Sequence, residues 1–94
     1  MDIEKTNQQL NVCLIRDFNL LAARKIKKLA NDVETIRIDL KNSRFVDSEA
    51  IKLLYEWVKQ GKKVRLIKPP EIFFEVISVL GLDKIFSLDE MLER

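Results

Sequence analysis

Apolar and polar positions alternate along this chain with two different periods, and the places where the period changes mark its elements. Leu10 to Ile15 contains the unbroken apolar run Val12-Cys13-Leu14-Ile15, which suits a central strand covered on both faces. From Leu20 to Leu29 the spacing becomes helical. Leu21, Ala22, Ile26 and Leu29 fall on one face, and Arg24, Lys25, Lys27 and Lys28 on the other. Asn19 is a suitable N-cap for this helix, and Asn31 a left-handed stop. Thr35 to Leu40 alternates strictly, with Ile36, Ile38 and Leu40 facing one way and Arg37 and Asp39 the other, the mark of a half-covered strand.

A second helix is predicted over 48–60, with Ile51, Leu54, Tyr55 and Val58 inward and Gly61 at the left-handed C′ position. Lys63 to Lys68 reads as the next strand. Pro69-Pro70 stops it and opens a third helix, whose inner stripe is Ile72, Phe73, Val76, Ile77 and Leu80 and whose end is Gly81. A last short strand is expected at Ile85-Phe86. Ser87-Leu88-Asp89-Glu90 matches a capping box before a brief terminal helix. At the other end, Ile3 suits a short edge strand turned by Asn7-Gln8-Gln9. Strands alternating with single helices imply right-handed crossovers and a largely parallel sheet. The expected fold class is α/β, a small mixed sheet flanked by helices, formed by residues 1–94 as one domain.

Composition narrows the chemistry. The chain has 94 residues, 47% apolar and 34% charged, enough for one core with a well-solvated surface. There is no histidine and only one cysteine, Cys13, whose neighbours Val12 and Leu14 suggest a buried thiol. Histidine acid–base catalysis, Ser-His or Cys-His nucleophile pairs and ordinary zinc sites therefore drop out. Two glycines cannot write a P-loop or a dinucleotide-binding turn. An enzyme is not expected, nor is a cofactor or metal. The net charge of +2 is too mild, and the basic clusters too free of interleaved aromatics, for a nucleic-acid binder. No apolar run approaches the roughly 18–20 residues that cross a bilayer, so direct membrane insertion is not expected. The N-terminus lacks the order of a secretory signal. A cytoplasmic protein fits.

The informative stretch is Ser43-Arg44-Phe45-Val46-Asp47-Ser48-Glu49-Ala50-Ile51, between the strand at 35–40 and the helix at 48–60. Asp47 and Ser48 are both good N-cap residues. Ser48 has two readings: a plain helix cap, or a hydroxyl at the positive end of a helix dipole where an added phosphate is tolerated. Leu53 and Trp57 lie one turn apart beside Glu49. Exposed, they would form a compact partner anchor; the alternative is that a wide apolar stripe buries Trp57 against a neighbouring helix. Arg44 is placed to meet a partner carboxylate or a phosphate. Phe74 is a weaker second contact. Asp39, near a strand end, suggests the phosphoacceptor of a response-regulator receiver. That reading fails because only Asp17 stands where an acidic metal-binding pair is needed.

Ile36-Arg37-Ile38-Asp39-Leu40, Phe45-Val46-Asp47-Ser48, Ile51 and Leu54 resemble the core of STAS domains, the family of anti-sigma factor antagonists and sulfate-transporter tails. The likeness continues through Gly61-Lys62-Lys63-Val64-Arg65-Leu66 and Leu80-Gly81-Leu82-Asp83-Lys84-Ile85-Phe86, covering roughly residues 10–90. It implies a small mixed sheet flanked by helices. It also implies a regulatory protein whose partner is an anti-sigma factor that is itself a serine kinase, with Ser48 as phosphoacceptor and Asp47 shaping the helix start. The partner-binding residues expected on this basis are Arg44, Asp47, Ser48, Glu49, Leu53 and Trp57. Where antagonists usually follow the phosphoserine with Ser or Thr and then Gly, this chain has Glu49 and Ala50. The alternative within the resemblance is an unphosphorylated STAS accessory subunit of a bacterial lipid-type ABC transporter. A third class, a binder of a small anion at the 48–60 helix N-terminus, rests on free amides alone.

Overall fold

A computed structural model describes residues 1–93. The elements run β1 (Asp2–Lys5), β2 (Gln9–Cys13), α1 (Leu20–Ala30), β3 (Thr35–Asp39), α2 (Ser48–Lys59), β4 (Lys63–Ile67), α3 (Glu71–Val79), α4 (Leu88–Met91) and β5 (Leu92–Glu93). The strands form one sheet in the order β1-β2-β3-β4-β5. β1 is antiparallel to β2, and the pairs β2–β3, β3–β4 and β4–β5 are parallel. This is the mixed, mostly parallel α/β architecture that the hydrophobic periods predict.

Each parallel pair steps one strand in the same direction. Right-handed connections therefore place every crossover helix on the same face of the sheet. Burial agrees: Leu10, Val12, Ile36, Ile38, Val64 and Leu66 are at most 4% exposed, while Asn11, Cys13, Arg37 and Arg65, one residue out of phase, are half-buried or exposed. β2 is thus covered on one face, where the apolar run predicted two. Cys13 is half-buried on the open face instead of lying in the core. The run is apolar by composition, but its neighbours obey a period of two.

The helices begin and end by identifiable chemistry. Asn19 Oδ1 accepts from the Ala22 amide at 3.1 Å and caps α1. Asn31, predicted as a left-handed stop, is instead right-handed, with φ −58°. The Lys62 ammonium takes over there, donating to the carbonyls of Ala30, Asn31 and Val33 and complementing the negative end of α1. Gly61, at φ 82°, closes α2 with the Lys62 amide donating to Trp57 O at 3.0 Å, the reach-back of a Schellman motif.

Three further details differ from the sequence reading. Leu21 is 68% exposed, and α1 packs through Ala22, Ala23, Ile26 and Ala30 instead. Ile85-Phe86 forms a turn, both amides donating to Leu82 O after the left-handed Gly81, and the last strand is β5. The Ser87 capping box does not form; only the Ser87 carbonyl accepts, from Glu90 and Met91.

Candidate functional site

Two loops, 14–19 after β2 and 40–47 after β3, leave the same end of the sheet and are laced together. The Phe18 amide donates to Phe45 O and the Asp47 amide to Phe18 O, both at 3.1 Å, which makes Phe18 and Val46 a parallel bridge. Ser43 is 5% exposed, and its Oγ donates to Arg16 O at 2.6 Å. Asp17 Oδ1 accepts from the Arg44 and Phe45 amides at 2.9 and 3.0 Å. Phe18 and Val46, both at 0% exposure, root the two loops in the core.

Asp47 is the hinge of this arrangement. Its Oδ1 accepts from the Ala50 amide at 2.9 Å, which caps α2. Its Oδ2 accepts from the Leu20 amide, also at 2.9 Å, in the first turn of α1. One carboxylate therefore closes the N-termini of two helices, each of which presents unpaired amides and a partial positive charge. That placement speaks against the small-anion reading, because the chain's own carboxylate takes the position an anion would want.

With Asp47 as cap, Ser48 is the first helical residue and is released from the capping role. It is exposed, and among the described residues its Oγ makes no hydrogen bond. Arg44 and Glu49 are also exposed, and Asp47 is half-buried. Glu49 Oε1 lies 3.3 Å from Lys52 Nζ, which offsets part of its charge beside the serine. Ala50 is 0% exposed, so its methyl group points into the core and adds nothing to the surface that a partner meets.

The structure corrects the expected Leu53–Trp57 anchor. These side chains are 5% and 3% exposed. The cause is α1, whose inner face is largely alanine and so lies close against α2. Leu20, Ala23, Arg24 and Lys27 of α1 face Glu49, Lys52, Leu53 and Glu56 of α2 across a shallow groove, with Lys27 Nζ 3.6 Å from Glu56 Oε2. A wide stripe is thus consumed by the fold, and Trp57 is core. Phe74 is 37% exposed on α3, away from the junction in sequence.

Sequence reasoning missed the apolar side chains that are exposed at this end of the sheet. Ile15, Leu20, Leu21 and Phe45 are 60, 37, 68 and 47% exposed, and all belong to the two laced loops or the α1 start beside Asp47. Phe45 was legible in principle: Val46 must point inward to pair with Phe18, so its neighbour points out. Asp39 serves its own loop, Oδ1 accepting from the Lys41 amide at 3.0 Å, and among the described residues no group of three or more acidic or thiol side chains is arranged to hold a metal.

The arrangement is a mixed, mostly parallel α/β domain with a serine displayed at a capped helix start. A family model described as "Mlab, STAS domain" matches residues 15–93. The chain belongs to the STAS domain family. Among solved structures, the anti-sigma factor antagonist SpoIIAA in its unphosphorylated form superposes with a TM-score of 0.68 at 18% identity, covering 98% of this chain and 84% of that one. The two share a fold. No curated protein matches the sequence. Among the described residues, no helix is long and apolar enough to cross a membrane.

Proposed function

We propose that the chain acts as one cytoplasmic, non-enzymatic regulatory domain that binds a partner protein through the surface around the α2 N-terminus, and that phosphorylation of Ser48 switches the contact. The partner on this reading is an anti-sigma factor that is also a serine kinase. One observation carries the proposal: Asp47 does the capping, so the Ser48 hydroxyl is exposed and unengaged. A serine that only capped a helix would be turned inward to the amides. The fold shared with SpoIIAA, an anti-sigma factor antagonist that has an unphosphorylated form, supports the same reading.

The switch needs no change of shape. Phosphate adds about −1.5 to −2 charges. In a docked, dehydrated contact an unpaired charge costs about 3–5 kcal/mol, enough to release a micromolar partner. With ATP and a cognate anti-sigma kinase, one phosphate is expected on Ser48 and none on Ser48→Ala. Ser48→Asp should weaken binding more than Ser48→Ala; equal affinities for the two would refute the switch.

A second reading has its own support in Glu49, an exposed carboxylate next to the acceptor hydroxyl that opposes further negative charge. On that reading the domain is an unphosphorylated accessory subunit of a lipid-type ABC transporter, docked from the cytoplasmic side. Failure to label Ser48, together with stable co-purification with a transporter ATPase, would decide for it.

A further inference from the structure

We infer that the partner meets this surface with an apolar centre ringed by carboxylates. This rests on the proposal that the Ser48 face is the docking surface, and it names the chemistry of what docks there.

The surface has an apolar half and a charged half. Nine large apolar side chains are exposed among the described residues, and four of them, Ile15, Leu20, Leu21 and Phe45, sit on the two laced loops and the α1 start. The hydrogen bonds from Phe18 to Phe45 and from Leu20 to Asp47 hold them at one end of the sheet on fixed backbone. An apolar cluster on ordered backbone beside a polar rim is the usual form of a docking surface.

The charged half is what surrounds them. Arg16 follows Ile15, Arg44 precedes Phe45, and Arg24 is four residues after Leu20 and three after Leu21, so it adjoins both on the helix surface. All three arginines are exposed. Among the described residues none has an ion-pair partner, whereas Lys5, Lys27, Arg37, Lys41 and Lys52 each have one. The nearby acids have partners of their own: both oxygens of Asp47 and one of Asp17 accept from backbone amides, Glu49 is paired with Lys52 and Glu56 with Lys27. Guanidinium groups are thus left facing outward around an apolar centre, ready for bidentate pairing with carboxylates. An anionic bilayer is the less suited occupant, because Asp17, Asp47 and Glu49 break the positive field that a continuous charged surface would need.

The test uses the whole chain, 15N-labelled, and two synthetic amphipathic helical peptides with the same apolar face, one flanked by glutamates and one by lysines. The glutamate peptide should shift the amides of Ile15, Leu20, Leu21 and Phe45 and bind at least tenfold more tightly than the lysine peptide, with the difference closing at molar salt. Arg24→Glu combined with Arg44→Glu should reverse the preference; both side chains are exposed, so the fold is kept. Leu21→Ser should weaken both peptides. Equal or tighter binding of the lysine peptide at these residues would overturn the inference and leave the docking surface standing. Stronger binding to phosphatidylserine vesicles than to either peptide would overturn it in favour of a membrane. Shifts absent from the rim, or gathered at Val79 and Leu80 at the end of α3, would end both the inference and the proposal beneath it.

Discussion

Replacing Asp47 by alanine removes two hydrogen bonds at once, and their contributions can be separated. The bond to the Ala50 amide is an N-cap, whose loss costs about 1 kcal/mol within a range of roughly 0.5–2. It closes the helix at a residue with 0% exposure, where water is a poor substitute. The bond to the Leu20 amide is also charge-assisted, nominally about 1.5–3 kcal/mol, but Leu20 is 37% exposed and water replaces part of it. Taking about 1–1.5 kcal/mol for each, Asp47→Ala should lose roughly 2–3 kcal/mol. For a domain of 94 residues, that is a fall in Tm of roughly 10–20 °C. Asp47→Ser keeps a cap for α2 but is too short to reach α1, and should lose about half as much. Urea unfolding gives the free energies, and hydrogen exchange at the Leu20 amide shows which bond was lost. Ser48→Ala should change stability by less than about 0.5 kcal/mol, since the hydroxyl holds nothing. A loss within that margin for Asp47→Ala, or a larger loss for Ser48→Ala, would refute the two-helix role of Asp47.

Trp57→Ala should cost about 3–5 kcal/mol, as expected for a large side chain deleted from a core; a near-native melting curve would return Trp57 to the surface. Lys62→Met should destabilise by about 1 kcal/mol, because three carbonyls at the end of α1 and in the loop just after it lose their ammonium, with faster exchange confined to that end as the sign. The Asp32 carboxyl is held below its ordinary value of 3.8, chiefly by its hydrogen bond with Lys5 2.7 Å away. A depressed acid stabilises the fold above the unfolded value and loses that contribution as pH falls through the folded one. An NMR titration of Asp32 should therefore show a low midpoint that rises towards the ordinary value in Lys5→Met.

The periods of hydrophobicity predicted the helices within a residue or two, because each helix here buries one stripe and breaks at an Asn cap, a Gly or a Pro-Pro. Three things were hidden, each for a physical reason. Whether the Leu53–Trp57 stripe of α2 is covered as well as the Ile51–Leu54 one depends on how close α1 approaches, and three alanines of α1 allow that approach without any pattern of their own. Leu21 looked inward because leucine usually is, yet at the rim an exposed leucine costs the fold little and offers a contact. The two-helix role of Asp47 joins residues 27 apart, and no local spacing announces it. Ser48 itself stood out, but its freedom became visible only when the neighbouring carboxylate was seen to cap.

The outer edge of β1 has a consequence for assembly. Two copies joined there by a two-fold axis would pair antiparallel, with residues of like parity opposite one another. Centred on Ile3, that register sets Asp2 against Glu4 of the second copy; centred on Glu4, it sets two glutamates face to face. Like charges directly opposed repel across a ladder, so the sheet resists growing by self-addition along this side. The charges of β1 thus guard one edge of the sheet against two-fold self-pairing.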